Sequence, residues 1–195
     1  MKIFGIIKIF SRALRASLAF FLLMLFTLGM SNKSLALGLT SASIRNGGRL
    51  AINQVYSGMG AGGKNLSPQL AWSDLPVTAK SLAITIYDPD APTGSGWWHW
   101  VVFNIPVDTT ELREGASQTA AMPKGAIESM TDFGTPGFGG AAPPPGDKPH
   151  HYIVTLWVLD VEKLDLNEKT PAAQVGFYLK KHEIEKAYIT GLYSR

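Results

Sequence analysis

The apolar run Leu82–Tyr87 ends at the segment Asp88–Pro92, which reads Asp-Pro-Asp-Ala-Pro. Proline fixes its own φ at about −65° and keeps the residue before it extended. The chain therefore leaves a predicted strand along a stiff path, with two carboxylates presented where the strand ends. Rigid strand ends commonly carry the groups that bind ligands. The segment requires a fold in which a buried strand delivers Asp88 and Asp90 to an accessible edge.

Four segments of the chain have the composition of strands, and they predict a mostly β domain. Three of them are apolar at both odd and even positions. Successive side chains of a strand face opposite ways, so these three are expected to be central strands covered on both sides. The four predicted strands span residues 49–56, 82–87, 99–105 and 151–160.

Helical signals are confined to the C-terminal part of the chain. Thr170 can cap a helix that starts with Pro171, because proline is favoured at the first helical position. This predicts a short helix over residues 172–181. A second helical piece is predicted over 183–189, and residues 111–115 could form one helical turn at most.

Residues 1–36 have the layout of a secretory signal peptide. Four lysines and arginines precede an apolar core over 17–29, and small residues follow at Ser34 and Ala36. The alternative is an uncleaved membrane anchor, but this core is short for a span of about 20 residues. We therefore expect an exported domain, periplasmic or secreted, over residues 37–195.

Charge and composition argue against several kinds of binding site in this domain. The leader holds five basic and no acidic residues, so the net charge of +3 falls to −2 without it. This balance gives no support to nucleic-acid binding, which needs a basic face on the folded part. The chain has no cysteine, which excludes disulfides and thiolate metal sites. The 159 residues from 37 to 195 have the length of a single domain.

Residues 131–150 form a long connection in which 10 of 20 residues are glycine or proline. Loops of this length inside compact domains are usually functional or disordered. Phe133 and Phe138 give the loop apolar surface to bury, which favours order. The proline run also predicts a cis bond at Ala142-Pro143 or Pro143-Pro144, because X-Pro bonds resist the cis form only weakly.

Acid, imidazole and phenol groups recur at the ends of the predicted strands, at Asp88, His99, His150 and Tyr152. A carboxylate beside an imidazole fixes its tautomer, while imidazoles, a phenol and backbone amides can donate to an anion. Together they predict a small site for a phosphate, sulfate or carboxylate group. Taken singly, each feature is also explained by a turn, a core histidine or a stiff connector.

Several stretches of the chain resemble the phosphatidylethanolamine-binding protein family, also called Raf kinase inhibitor-like proteins. The Thr131–Gly134 stretch and the triple proline are similar to its bacterial YbhB/YbcL branch. The stretches that carry the resemblance are Asn65–Pro68 with Leu70 and Trp72, Asp88–Pro92, His99 with the apolar strand after it, and the loop positions Gly140, Pro143, Pro144, Gly146, His150 and Tyr152.

The resemblance implies a β-sandwich with a large antiparallel sheet, a smaller sheet and short C-terminal helices. It also implies an anion pocket at one end of the fold, with no required cofactor or metal. Family members include regulators that inhibit kinases or proteases, which would add a protein partner; a homodimer stays open. Carried over to this chain, the pocket walls are Asp88, His99, His150 and Tyr152, supported by Asp90 and Pro144.

The chain departs from the family pattern in three stretches. His151 replaces an arginine of the His-Arg-Tyr triplet, and we expect it to face away from His150 and Tyr152 because strand neighbours alternate. Ala141-Ala142 replaces Pro-Cys before the prolines. His182 follows Lys181 rather than glycine, and we interpret it as structural.

The leading interpretation is an exported binding protein for a phosphate-type or other anionic small ligand. The alternative is a hydrolase that uses the Asp, His and Tyr groups in acid–base chemistry. The sequence offers no Gly-x-Ser-x-Gly or His-Glu-x-x-His motif in its support. A metal site on the two histidines and Asp88 ranks third. A protein-binding surface on the aromatic residues 97–100 ranks fourth.

Overall fold

The computed structural model of the protein describes residues 36–119 and 121–195. The predicted leader therefore lies outside the described residues, apart from Ala36. In this part of the chain no helix is both long and apolar enough to cross a membrane. The elements, in chain order, are β1 (Gly38–Thr40), β2 (Gly48–Arg49), a 3-10 turn (Ile52–Gln54), β3 (Leu70–Ser73), β4 (Ser81–Asp88), β5 (Trp97–Pro106), β6 (Glu111–Leu112), β7 (Ile127–Glu128), β8 (His150–Leu159), α1 (Ala172–His182) and β9 (Glu183–Tyr193).

The strands form a small and a large sheet. The small sheet has three strands in the order β1-β3-β6, and the large one has six in the order β2-β9-β8-β4-β5-β7. All pairings are antiparallel except the short parallel pair of β2 with β9. This architecture confirms the predicted mostly β fold with a large and a smaller sheet.

The central strands of the large sheet are covered on both faces, as their two-sided apolar pattern predicts. Leu82 and Ile84 of β4 belong to the main core cluster, which includes Leu70 of the small sheet. Ala83, between them, belongs to a second cluster that includes Val175 of α1. The alternation of a strand therefore sends neighbouring side chains to two different cores.

Two secondary-structure predictions are wrong. Residues 49–56 form the end of β2 and a 3-10 turn rather than one strand, and residues 183–189 belong to β9 rather than a helix. The second error has a tertiary cause, because β9 pairs with β8 from His150 to Leu159. Without β9 the edge of β8 would present unpaired backbone groups, and this pairing outweighs local helix preference. One C-terminal helix, α1, is present in the described residues where the resemblance implied several.

The predicted cis bond is also wrong, since every peptide bond among the described residues is trans. The chain reverses instead at Pro144–Asp147, where the Asp147 N–H donates to the Pro144 carbonyl over 3.3 Å. Pro145 and Gly146 are the central residues of this turn, and Gly146 has φ of 87°. Proline followed by a residue with positive φ makes a type II turn. The reversal therefore uses glycine rather than a cis proline.

Candidate functional site

Three strands of the large sheet bring polar residues to one edge. Asp88 is the last residue of β4, Trp97 is the first of β5 and His150 is the first of β8. Because these strands are antiparallel neighbours, the end of β4 meets the beginnings of the other two, and Asp88 lies opposite Trp97 in register. The edge opens into a cavity of about 160 Å³.

The walls of this cavity come from the strand ends, from the segment after β4 and from the glycine- and proline-rich loop. Carboxylate, imidazole and phenol groups lie among aromatic and aliphatic surface. The lining residues are Met59, Asp88, Ala91, Pro92, Thr93, Trp97, His99, Phe133, Ala142, Pro143, Pro144, His150 and Tyr152.

Asp88 and His150 form a buried pair on the cavity wall. Asp88 Oδ2 lies 2.8 Å from His150 Nδ1, and each side chain is 3% exposed. Asp88 Oδ1 accepts the backbone N–H of Asp90 over 2.8 Å. On the other side of the ring, His150 Nε2 lies 3.3 Å from Asp147 Oδ2. The imidazole is thus held between two carboxylates, and only its doubly protonated form can donate to both.

His99 is oriented by the loop. Its Nδ1 lies 2.8 Å from the Gly139 carbonyl, which can only accept, so Nδ1 carries a proton. Its ring packs edge-on against Tyr152 and Phe133, at centroid distances of 5.0 and 5.4 Å. Burial lowers the pKa of His99, and this outweighs the opposing effects of the Gly139 carbonyl and the Asp88 carboxylate.

Two donors of the cavity have no partner among the described residues. The Tyr152 hydroxyl and the Trp97 Nε1–H are both buried without a hydrogen bond. Burial, reinforced by the nearby Asp88 carboxylate, raises the pKa of Tyr152, so the hydroxyl keeps its proton. Buried polar groups are nearly always hydrogen-bonded in folded proteins. These two donors therefore mark the place where a ligand or ordered water would be held.

Side chains from distant parts of the sequence hold the loop that forms one wall. Asn65 accepts the Gly140 N–H over 2.7 Å and donates to the Phe138 carbonyl over 3.2 Å. The Arg195 guanidinium donates to the Pro143 carbonyl and, over 2.8 Å, to the Met59 carbonyl. Arg195 thus connects two residues that line the cavity, Pro143 and Met59. No local signal in the sequence pointed to Arg195, whereas Asn65 lies in one of the stretches that resemble the family.

His151 faces away from the cavity, as strand alternation predicted. Its side chain is 54% exposed, and Nδ1 lies 2.7 Å from Asp90 Oδ2. The same oxygen accepts the His151 backbone N–H over 2.8 Å. Burial raises the pKa of Asp90, but the hydrogen bonds from His151 outweigh it and the pKa is lowered overall. Asp90 is therefore engaged outside the cavity and supports Asp88 through its backbone.

The cavity brings together five of the six residues predicted for the site. Asp88, His99, Pro144, His150 and Tyr152 line it, whereas the Asp90 side chain does not. Trp97 and Phe133 were not among the predicted site residues. Trp97 stands at the start of the aromatic run, but strand alternation alone could not say which of its tryptophans faces the cavity.

The other two tryptophans of that run make contacts outside the cavity lining. Trp98 packs against Tyr87 at a centroid distance of 4.7 Å, and Trp100 is fully buried and donates to Glu128 over 2.6 Å. His182 lies 2.9 Å from the Asp160 carboxylate, outside the cavity lining. Within residues 36–119 and 121–195, no three histidine, aspartate or glutamate side chains are arranged to hold a metal ion.

Comparisons with known proteins identify relatives over nearly the whole described domain. The sequence profile of the phosphatidylethanolamine-binding protein family matches residues 40–194. The Escherichia coli protein YbhB is 49% identical over 157 residues, which cover 80% of this chain and 99% of YbhB. YbcL, also from Escherichia coli, is 47% identical over 165 residues, covering 84% of this chain and 90% of YbcL.

Solved structures give the same result. The crystal structure of Escherichia coli YbcL matches with a TM-score of 0.81 at 46% identity, covering 83% of this chain and 99% of that chain. A phosphatidylethanolamine-binding protein homologue from Chlamydia trachomatis matches with a TM-score of 0.70 at 29% identity, covering 82% and 98%. These matches confirm the resemblance found in the motifs: the chain belongs to the phosphatidylethanolamine-binding protein family.

Proposed function

We propose that the protein binds a small phosphate-type anion, or the anionic head group of a larger ligand, in the cavity at the end of the large sheet. The observation that carries the proposal is the pair of unpartnered buried donors, the Tyr152 hydroxyl and the Trp97 Nε1–H. A buried donor without an acceptor costs about 1–3 kcal/mol. A ligand oxygen between these donors would remove that cost.

The surroundings of the donors support a binding role. The cavity is small, and Asp88, His99 and His150 are held in place by hydrogen bonds to neighbouring residues, so an oxyanion would meet a site that needs little rearrangement. The family takes its name from binding phosphatidylethanolamine, whose head group contains a phosphate. Aliphatic and aromatic lining residues such as Pro144 and Phe133 would contact the apolar part of such a ligand.

Binding is preferred to hydrolysis because none of the described residues that line the cavity is a hydroxyl nucleophile hydrogen-bonded to a base. Thr93 is the aliphatic hydroxyl among the described lining residues, and it donates to the Gly96 carbonyl rather than to a base. A group that only holds the ground state of its ligand does not accelerate a reaction. Kinase or protease inhibition through a protein partner, implied by the resemblance, stays a prediction.

Export of the domain is part of the proposal. The basic n-region, the apolar core and the small residues before Leu37 support cleavage and release into a periplasmic or extracellular space.

Isothermal titration of the full chain with methyl phosphate at pH 5 tests the binding function. We expect saturable binding that Tyr152→Phe weakens by about tenfold, since one hydrogen bond to a charged group is lost. Tyr178→Phe is the matched control, because Tyr178 packs with the second core cluster away from the cavity. Phosphoester turnover that Asp88→Asn abolishes without loss of binding would instead establish the hydrolase.

A further inference from the structure

We propose that the cavity selects an oxyacid group that still carries a proton, such as the monoanion of a phosphate monoester, over a group of equal charge without an O–H. This inference rests on the proposed binding function and specifies the chemical state of the ligand. The cavity walls carry both donors and acceptors that lack a partner, and a ligand with an O–H can pair with both kinds.

The first acceptor is His99. Its Nδ1 proton is committed to the Gly139 carbonyl, so the neutral ring has its lone pair on Nε2. Gly139 does not line the cavity, whereas His99 does. We infer that the Nε2 side of the ring is directed toward the cavity, where no described residue forms a hydrogen bond with it. Burial keeps this ring neutral to a lower pH than usual.

The second acceptor is the Asp88 carboxylate. Each of its oxygens has one donor, Asp90 N–H for Oδ1 and His150 Nδ1–H for Oδ2. A carboxylate offers about four lone-pair sites, so acceptor capacity remains on the cavity wall. The cavity therefore pairs two free donors, on Tyr152 and Trp97, with two acceptors, His99 Nε2 and the Asp88 carboxylate.

A fully deprotonated oxyanion fits this mixture poorly. Its oxygens could accept from the two donors, but other oxygens would face the lone pairs of His99 and Asp88. An O–H on the ligand turns one of those contacts into a hydrogen bond. Sites built around such a bond discriminate strongly against analogues that lack the proton, because their own polar groups are left unpaired.

The charged residues around the cavity also favour a ligand with one negative charge over a ligand with two. Asp88 lines it, Asp147 reaches the far nitrogen of His150, and Asp132 acts on His99 from the loop. Arg195 adds a permanent positive charge next to the proline wall, where its guanidinium donates to the Pro143 and Met59 carbonyls. These three carboxylates outnumber the one guanidinium, and the Asp90 carboxylate lies close enough to interact with His150 as well. A second negative charge on the ligand would be repelled.

The test compares two ligands of equal charge by titration calorimetry of the full chain at pH 5. Methyl phosphate and dimethyl phosphate each carry one negative charge there, but only methyl phosphate has a P–OH. We expect methyl phosphate to bind about tenfold more tightly, the gain from one additional charge-assisted hydrogen bond. At pH 8 methyl phosphate is a dianion, since its second pKa is about 6. Its affinity for the protein should therefore fall. The affinity for dimethyl phosphate should change less.

Asp88→Asn supplies the variant, because the amide keeps the shape of the side chain and can donate. We expect it to reduce the preference for methyl phosphate to about twofold. Asp160→Asn is the control, since this carboxylate pairs with His182 outside the cavity. If the variant does not fold, the two ligands on the unaltered chain still decide the question.

Tighter binding of methyl phosphate at pH 5 supports the inference. Equal binding of both ligands, weakened in both cases by Tyr152→Phe, overturns the proton selectivity and leaves the binding function standing. Tighter binding of methyl phosphate at pH 8 than at pH 5 also overturns the selectivity. Absence of binding by either ligand overturns the proposed function and the inference with it.

Discussion

The Asp88 carboxylate and the His150 imidazole lie 2.8 Å apart, and each side chain is only 3% exposed. These residues are 62 positions apart in the chain. They meet because β4 ends where its antiparallel neighbour β8 begins. The pair ties two strands of the large sheet together on the cavity wall, so it contributes to the stability of this end of the sheet.

Removing the carboxylate should therefore destabilise the fold. We expect Asp88→Ala to lower the free energy of unfolding by about 3 kcal/mol, because it leaves His150 and the Asp90 N–H without a buried acceptor. Asp147→Ala, at a side chain that is 41% exposed, should cost less than about 1 kcal/mol. Urea denaturation measures both. If Asp88→Ala lowered the free energy of unfolding no more than Asp147→Ala, the buried pair would contribute no additional stability.

His99 should remain neutral below the pH at which free histidine titrates. Its folded-state pKa is lowered by burial, so as pH falls below about 6.5 the unfolded state takes up the proton first. The contribution of His99 to stability is present above about 6.5 and is lost as pH falls below it. Nitrogen-15 NMR should show a neutral ring protonated at Nδ1 at pH 6.5. A ring protonated at Nε2 would contradict the Gly139 contact.

Trp97 and Trp98 are adjacent in sequence but should differ in ligand binding. Trp97 lines the cavity and has a free Nε1–H, whereas Trp98 packs against Tyr87. We expect Trp97→Phe to weaken methyl phosphate binding by about tenfold, and Trp98→Phe to leave the affinity within about twofold. Calorimetric titration checks both. The reverse order would place the ligand elsewhere.

Arg195 should control the order of the proline wall. Arg195→Ala removes the side-chain bonds to the Pro143 and Met59 carbonyls. We expect faster hydrogen exchange at the Asp147 amide, which closes the turn, together with weaker methyl phosphate binding. Arg113→Ala is the control, since Arg113 contacts Glu111 as an exposed ion pair. Unchanged exchange at Asp147 would show that the turn orders itself.

The leader should be removed on export. Cleavage after Ala36 predicts that N-terminal sequencing of the protein from its host begins at Leu37. A membrane-bound product that retains Met1 would instead establish the uncleaved anchor.

The sequence by itself determined the central strands and pointed to five of the residues that line the cavity at their ends. The two-sided apolar runs of β4, β5 and β8 predicted buried strands, because alternation leaves no polar face to expose. The prolines after Asp88 and the motif ending in Tyr152 placed the polar groups at strand ends. These signals are local, and the structure retains them.

Tertiary structure decided the rest. The segment Glu183–Tyr193 is a strand because β8 has an edge to pair, a cause that lies outside its own residues. The Asp90 side chain does not line the cavity because His151, which β8 places beside it, hydrogen-bonds its carboxylate. Arg195 reaches Met59 and Pro143 across 136 and 52 positions of the chain. Such contacts depend on which strands pair with each other, and the local periodicity of the sequence does not predict that pairing.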